Sequence, residues 1–377
     1  MKKRFQKLLI VTLGCLLLSP VLMAGNEQRA GSAGASELLI NPWARSSGWG
    51  SANVGCVQGL EALYQNIAGT AFTRRTELIF TNSQYLVGSG INMNNFGFSQ
   101  KVGEVGVLSV GVMTMDFGDI DITTEELPEG GLGTYSVSYN NIQLAYAQEF
   151  SNSIYGGMSV KIINEGLPDA NAMGFALDAG IQYVTGVGKD KLGNRKRDNL
   201  RFGISMKNVG STMKFTGDGM SFIGESEWGT NMTVEQRSAE FELPSLIKIG
   251  VSYYIDLDAK TPSDARMGEE TPDADELVSN HQLIIAANFT SNSFTRDQFH
   301  FGLEYGFKDL FFLRGGYVYE KGMFEYTERN TVFTGPSAGL SVHIPMNDSG
   351  SVIAIDYSYR DTNPFDGVHT IGARITL

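Results

Sequence analysis

From about residue 76 to the C-terminus, apolar and polar side chains take turns along the chain. Residues 299 to 319 show the pattern most plainly. Phe299, Phe301, Leu303, Tyr305 and Phe307 fall on odd positions, and His300, Gly302, Glu304 and Gly306 fall on even ones. After Lys308-Asp309 the alternation resumes, with Phe311, Leu313, Gly315, Tyr317 and Tyr319 on one face and Phe312, Arg314 and Gly316 on the other. Side chains alternate sides along a strand, so this stretch predicts a tight antiparallel hairpin with one apolar face and one small or charged face. In a soluble sandwich the apolar face would be a core. In a transmembrane barrel it faces lipid, and the other face lines the lumen. The length of the alternating runs and the ions on their polar faces favour the barrel.

The same reading predicts an all-β chain of fourteen strands near 76-87, 92-101, 104-116, 141-150, 154-163, 173-185, 199-208, 245-257, 282-290, 297-307, 309-319, 335-346, 350-360 and 367-377. An even count puts both ends of a barrel on one side, the periplasm. The connections then sort into short periplasmic turns at 101-104, 151-153, 308-309 and 346-350 and long outer loops at 117-140, 209-244 and 320-334. The basic 187-199 and the acidic 258-280 are long connections on the short side, and a miscounted strand pair there is the alternative.

The first part of the chain does not alternate. Residues 1-24 carry Lys2, Lys3, Arg4 and Lys7, then an apolar run, then Ala24. That is the pattern of a secretory signal peptide. Cys15 follows Leu13-Gly14, but the apolar run continues past it, against a lipidation site. Residues 25-75 then divide into a Gly-, Ser- and Ala-rich lead to residue 37, expected to be flexible, and a segment to about residue 72 with Gly48, Gly50, Gly55 and Gly59. Within it GLEALYQN suggests a short helix carrying Leu60, Leu63 and Tyr64 on one side, too short to cross lipid. It fits inside the barrel as a short N-terminal plug; an external periplasmic arm is the other placement. Residues 76-377 form the barrel.

Composition supports this division. The 377 residues include 45 Gly, 22 Phe and 15 Tyr, with 19% charged residues, fewer than the usual share of about 25%. Beyond the N-terminus no run of about 20 apolar residues exists, which excludes helical membrane spans. Loss of the leader leaves 25 cations against 41 anions, a net charge of -16, which argues against nucleic-acid binding. Only Cys56 then remains, so no internal disulfide braces this exported chain.

Chemistry is sparse. His281, His300, His343 and His369 are scattered over different faces, so no metal site is expected. Asp273, Asp275 and Glu276 lack the spacing and glycine of a calcium loop. Gly186-Val187-Gly188-Lys189 fails as a phosphate loop, with Tyr183 where glycine is needed and Asp190 where Ser or Thr is needed. No nucleophile elbow is present, and neither an enzyme nor a cofactor is expected.

The lumen face carries more information. Its expected ions are Glu149, Lys161, Asp178, Arg201, Lys207 and Lys248, then Glu304, Arg314, Asp356, Arg360 and Arg374, with His300 among them. Both signs are interspersed, as ladders of ion pairs bracing a wall around a plug would require, since isolated charges in a dry lumen are costly. In the long loop 209-244, Phe222, Trp228 and Phe241 stand among acidic residues as candidate partner-binding anchors. A membrane-interface belt or loop packing would use the same aromatics.

Several stretches together resemble the PorV/PorQ group of the FadL outer-membrane barrel superfamily. The segment NPWARSSGWGSANVG followed by GLEALYQNIAGTAF is similar to the start of those barrels, where Asn66, Ala68 and Gly69 match an Asn-Pro-Ala-Gly motif and Ile67 stands where proline is common. Glu61 and Tyr64 belong to the same plug segment. LRFGISMKNVGSTMKFTGDG with LPSLIKIGVSYY, FGLEYGFKDLFFLRGGY and IDYSYRDTNPFDGVHTIGARITL also match. The resemblance implies a fourteen-stranded plugged barrel in the outer membrane of a Bacteroidetes-type bacterium, in contact with outer-membrane lipid. It further implies a type IX secretion role, binding the C-terminal domains of secreted proteins and translocon or attachment-complex proteins. Other members of the superfamily carry fatty acids or aromatic hydrocarbons inward, and uptake of hydrophobic small molecules is the alternative function. A charged lumen counts mildly against that channel.

Overall fold

The computed structural model describes residues 27-188, 198-258, 261-262, 277-346, 350-363 and 365-377. The expected signal peptide, the core of the basic connection and most of the acidic one lie outside the described residues.

Fourteen antiparallel strands close into one barrel. They are β1 (Thr76–Tyr85), β2 (Ile91–Val102), β3 (Gly106–Asp121), β4 (Thr134–Ser151), β5 (Ile154–Leu167), β6 (Ala170–Thr185) and β7 (Leu200–Gly210), then β8 (Leu246–Asp256), β9 (His281–Asn292), β10 (Gln298–Phe307), β11 (Phe311–Glu320), β12 (Gly335–Pro345), β13 (Val352–Arg360) and β14 (Val368–Thr376). Every strand pairs with its sequence neighbours, and the seam is closed by β1 on β14, where Leu78 faces Ile375 and Phe80 faces Ala373. Such closure satisfies the backbone of every strand on both sides and leaves no edge. The connections after β3, β7 and β11 lie at one end, called here the loop end; both barrel termini, the tight turns after β2, β4 and β10 and the basic and acidic connections lie at the other, the turn end. Outward side chains such as Phe80, Leu144, Val160, Ile181, Ile204, Ile249, Leu303 and Ile371 are exposed and form an apolar girdle.

The strand positions agree with the sequence pattern except on one side. β3 runs to Asp121 and β4 begins at Thr134, so half of the expected loop 117-140 is a continuation of both strands. The reason is a change of phase. Along β4, Tyr146, Leu144 and Ile142 point out, whereas toward the loop end the apolar residues are Tyr139, Val137 and Tyr135, which point in. β3 does the same, from Leu108, Val110 and Val112 outside to Met113 and Met115 inside. Above the girdle the outer surface is polar, and the oily face turns to the lumen. The loop 209-244 also contains structure, a small hairpin pairing Ser221–Glu225 with Asn231–Glu235.

The chain ahead of β1 runs down the inside of the barrel. Its lead, expected to be flexible, is instead held at the loop end, where Gly34 donates to the Glu242 carbonyl at 3.0 Å and Ala35, Leu38 and Ile40 are buried. Burial of these three apolar residues outweighs the freedom conferred by the surrounding Gly and Ser. Next comes helix α1 (Ala44–Gly48), lying against β11 to β14, then a tight turn at Gly59–Glu61 leading into α2 (Ala62–Gln65). A last 3-10 turn, Ile67–Phe72, lies against β3 to β6. The segment is a plug, and it leaves at the turn end, where Thr76 donates to the Leu377 carbonyl.

Candidate functional site

What lets the plug lie on the wall is a row of inward-facing glycines. A side chain added at Gly203 would meet the Val54 carbonyl oxygen at 2.3 Å, at Gly316 the Trp49 backbone at 2.2 Å, and at Gly339 the Gly48 Cα at 2.9 Å. Backbone therefore sits on backbone at these points, which only glycine permits. The plug motif makes the corner. Asn66 Nδ2 donates to the carbonyls of Val54 and Ile181, both at 3.1 Å, and its Oδ1 accepts from Ala68 N at 3.3 Å. Gly69 lies so close to the Val57 carbonyl that a Cβ would meet it at 2.2 Å. Glu61 accepts from Ser46 Oγ at 2.9 Å, and Tyr64 donates its hydroxyl to the Leu39 carbonyl.

Ion pairs fasten the plug on the β10 to β14 side. Glu304 lies between Arg45 of the plug, 3.0 Å away, and Arg314 of the wall, which bonds it through Nε. Arg314 reaches on to Ser341, which donates to Asp356, and Arg374 stands 4.0 Å from Asp356. On the opposite side Lys161 pairs with Asp178 at 2.6 Å and donates to Asn208 at 2.8 Å. His300 bonds the Gly50 carbonyl through Nδ1 at 2.7 Å.

Other expected lumen ions do not join a ladder. Glu149 lies half-buried beside an irregularity at the turn end of β4, away from the pairs above. Arg201 stacks on Tyr254 and Phe72. Lys207, Lys248 and Arg360 have no carboxylate within pairing distance among the described residues. The evenly mixed ladder fails because other inward carboxylates are engaged elsewhere: Glu77 accepts from the Leu60 backbone N–H, and Glu320 from Gln298 and Thr331. Instead the Lys207 ammonium sits 3.5 Å and the Lys248 ammonium 4.9 Å from the Tyr64 ring centroid, and Arg360 lies 4.4 Å from that of Phe333. Lys248 also donates to Gln65 Oε1 at 3.0 Å. Aromatic faces attract cations, but they leave the charge uncancelled.

Directly toward the loop end is an apolar chamber. Its wall is Met93, Met113, Met115, Tyr139, Ile163 and Met213, with Phe215, Phe241 and Phe333 at the margin, and the lead fills it with Ala35, Leu38 and Ile40. Lys207, Lys248, Arg360 and Tyr64 form its floor, joined to it through Phe333 and through the small cavity that Tyr64 shares with Leu38 and Met113. The methionines are unbranched and polarizable, and so pack closely around the irregular outline of the lead.

The outer-loop aromatics separate. Trp228 is 89% and Phe222 51% exposed on the loop hairpin. Phe241 is not a free anchor, since it packs at the chamber margin, tilted against Phe215 at 5.8 Å. Proximity to the lead at Gly34 draws it inward. Reasoning from the sequence missed Arg45, the chamber methionines and the role of the lead; the phase change in β3 and β4 was the signal that would have located the chamber.

No family model matches the sequence, and no curated protein matches it. Solved structures do match in fold. The toluene transporter TodX of Pseudomonas putida superposes with a TM-score of 0.51 at 11% identity, over 89% of this chain and 97% of that one. A FadL homologue of Pseudomonas aeruginosa gives 0.48 at 11% identity, over 88% and 98%. The chain thus has the fold of the FadL-type barrels, a closed fourteen-stranded antiparallel cylinder with a short helical N-terminal segment inside.

Proposed function

We propose that this protein is an outer-membrane barrel that takes up fatty acids or other hydrophobic small molecules from the cell exterior, with the loop end outside. The observation that carries this reading is an apolar cluster at the loop end, closed by the lead, whose floor holds Lys207, Lys248 and Arg360 without carboxylate partners among the described residues. An amphipathic anion would place its tail among the methionines and its head on the cations, displacing the lead. Charge-assisted hydrogen bonds contribute about 1.5–3 kcal/mol each. The exposed girdle suits lipid, and the fold shared with TodX is compatible with passage of apolar molecules.

The test is saturable uptake of a labelled fatty acid by liposomes bearing the pure protein. Lys207→Met with Lys248→Met should reduce affinity for the fatty acid at least tenfold and leave a neutral hydrocarbon of equal length unaffected. Because Lys248 also donates to Gln65 and Lys207 to the Tyr64 carbonyl, the unfolding temperature of the double variant in detergent is measured alongside, and lost binding with that temperature kept marks a loss of the head-group site. Absence of saturable uptake by the unaltered protein would overturn the proposal.

A second reading rests on the loop hairpin, whose Phe222, Ile223 and Trp228 are exposed. In it the barrel is a type IX secretion component that binds the C-terminal domains of secreted proteins or a translocon protein at the cell surface. Replacing 221-235 by a Gly-Ser turn tests it without disturbing Met213, Phe215 or Phe241. Unchanged co-purification of such partners would sink it.

A further inference from the structure

At the turn end of the lumen, where the plug leaves the barrel, Arg201 stands apart from the ion pairs. It faces inward near the start of β7, beside Val184 of β6 and Ser252 of β8. Its guanidinium carbon lies 4.6 Å from the ring centroid of Tyr254 on the wall and 5.6 Å from that of Phe72 at the end of the plug. Phe72 in turn packs on Tyr155 of β5, with ring centroids 4.2 Å apart. Arg201 Nε and Nη1 are buried and have no hydrogen-bond partner. No carboxylate lies within pairing distance among the described residues. Glu149 is at the same end, but it stands opposite Tyr155 on β4 and forms no pair with Arg201. Aromatic faces attract the cation without cancelling its charge, so its donors remain to be filled.

The position repeats the chemistry of the cationic floor at the other end of the plug. Arg201 and Lys207 both face inward on β7, about 20 Å apart along the strand. Between them the plug lies directly on the wall, with the Val54 carbonyl against Gly203 and the Val54 side chain against Gly250. The same interval holds buried polar atoms without partners: Ser205 Oγ, Gln182 Oε1 and Gln65 Nε2, each in a residue no more than 1% exposed. A head group leaving the floor as the plug shifts off Gly203 and Gly250 would pass these atoms and reach Arg201 last.

We infer that Arg201 is a second carboxylate-binding site, at the turn end, which takes the head group of an amphipathic acid while Phe72, Tyr155 and Tyr254 take the adjoining part of its tail. An arginine fork bonds both oxygens of a carboxylate, whereas a lysine acts as a point charge. Ionisable side chains inside a membrane-spanning wall commonly line a substrate path. The route from the floor to Arg201 rests on the uptake reading; the site itself does not.

The test follows the Nε resonance of Arg201 in the purified full-length protein, labelled with 15N-arginine and held in detergent at constant pH and ionic strength. Its absence in Arg201→Lys identifies the resonance. Decanoate is the probe, and decanol is the neutral control. The expected result is a saturable shift with decanoate, at least tenfold larger than with decanol, which persists in Lys207→Met with Lys248→Met, where the floor has lost two cations. No shift with decanoate, or one equal to that with decanol, overturns the proposal. So does a shift that vanishes with the floor lysines, because Arg201 would then report only on binding at the floor. In the same lysine-free background, calorimetry should give at least tenfold weaker decanoate binding for Arg201→Lys, which keeps a cation between the rings and loses the fork; unchanged affinity overturns the site as described. Liposomes that take up no fatty acid would end the uptake reading and leave a saturable shift at Arg201 standing, so the two fail separately.

Discussion

The two sides of this barrel are built to different heights. Along β10 to β14 the strands have nine to eleven residues, and the outward positions are mostly apolar from end to end, as in Phe299 to Phe307 and Ile353 to Tyr359. Along β3 to β6 they have fourteen to eighteen, and in β3 and β4 the apolar face crosses from outside to inside partway. At about 3.3 Å per residue, β4 is about 60 Å long and β13 about 30 Å. A barrel strand needs about 9–11 residues to cross a membrane, so the short side spends its whole length on the crossing, while the tall side has a surplus. That surplus encloses the chamber. The short side holds the plug by ions around Glu304, and the tall side holds the lead by apolar contact.

The largest effect expected from this division is on the short side. Glu304→Ala leaves Arg45 and Arg314 buried with no carboxylate between them, at a cost of about 3–5 kcal/mol, visible as a lower unfolding temperature in detergent on a heat-modifiability gel. A loss under about 1 kcal/mol would break the claim that charge holds the plug there. On the tall side Leu38→Ala removes a buried anchor of the lead, with a cost of about 2–5 kcal/mol, read as faster proteolysis of the lead with the barrel intact. Loss of the barrel along with it would show that the sides are not independent. Gly316→Val, where a Cβ already meets Trp49 backbone, should cost about 1–3 kcal/mol by overpacking and raise ion leak across a planar bilayer as the plug shifts; an unchanged leak would mean that the wall yields instead. Trp228→Ala on the exposed hairpin should change stability by no more than about 0.5 kcal/mol, checked on the same gel.

Lipid-facing positions made the fold legible. Wherever an outward face is apolar and an inward face small or charged, as in Phe202, Ile204 and Met206 against Ser205 and Lys207, the two-residue period marks the strand to within a few positions. Beyond the girdle that cue reverses. Tyr135, Val137 and Tyr139 alternate as regularly as Ile142 and Leu144, but in the opposite phase, so the join reads as a break. Lumen ions were legible as residues on one face and not as pairs, because pairing depends on neighbours far apart in sequence, such as Arg45 with Glu304. The lead was misread because its Gly and Ser content describes its freedom when alone, whereas its position is decided by a wall contributed by residues more than fifty positions later.

The path of the N-terminal segment bears on assembly. It starts among the loops, passes through the cylinder and comes out beside the last residue of the chain, while the seam between β1 and β14 shuts around it. Drawing such a strand through a finished tube would mean dragging Trp43 and Trp49 along a wall that the plug backbone touches directly at Gly203, Gly316 and Gly339. A curved sheet that wraps its own beginning before the first and last strands zip together avoids that obstacle, so this cargo is installed during construction.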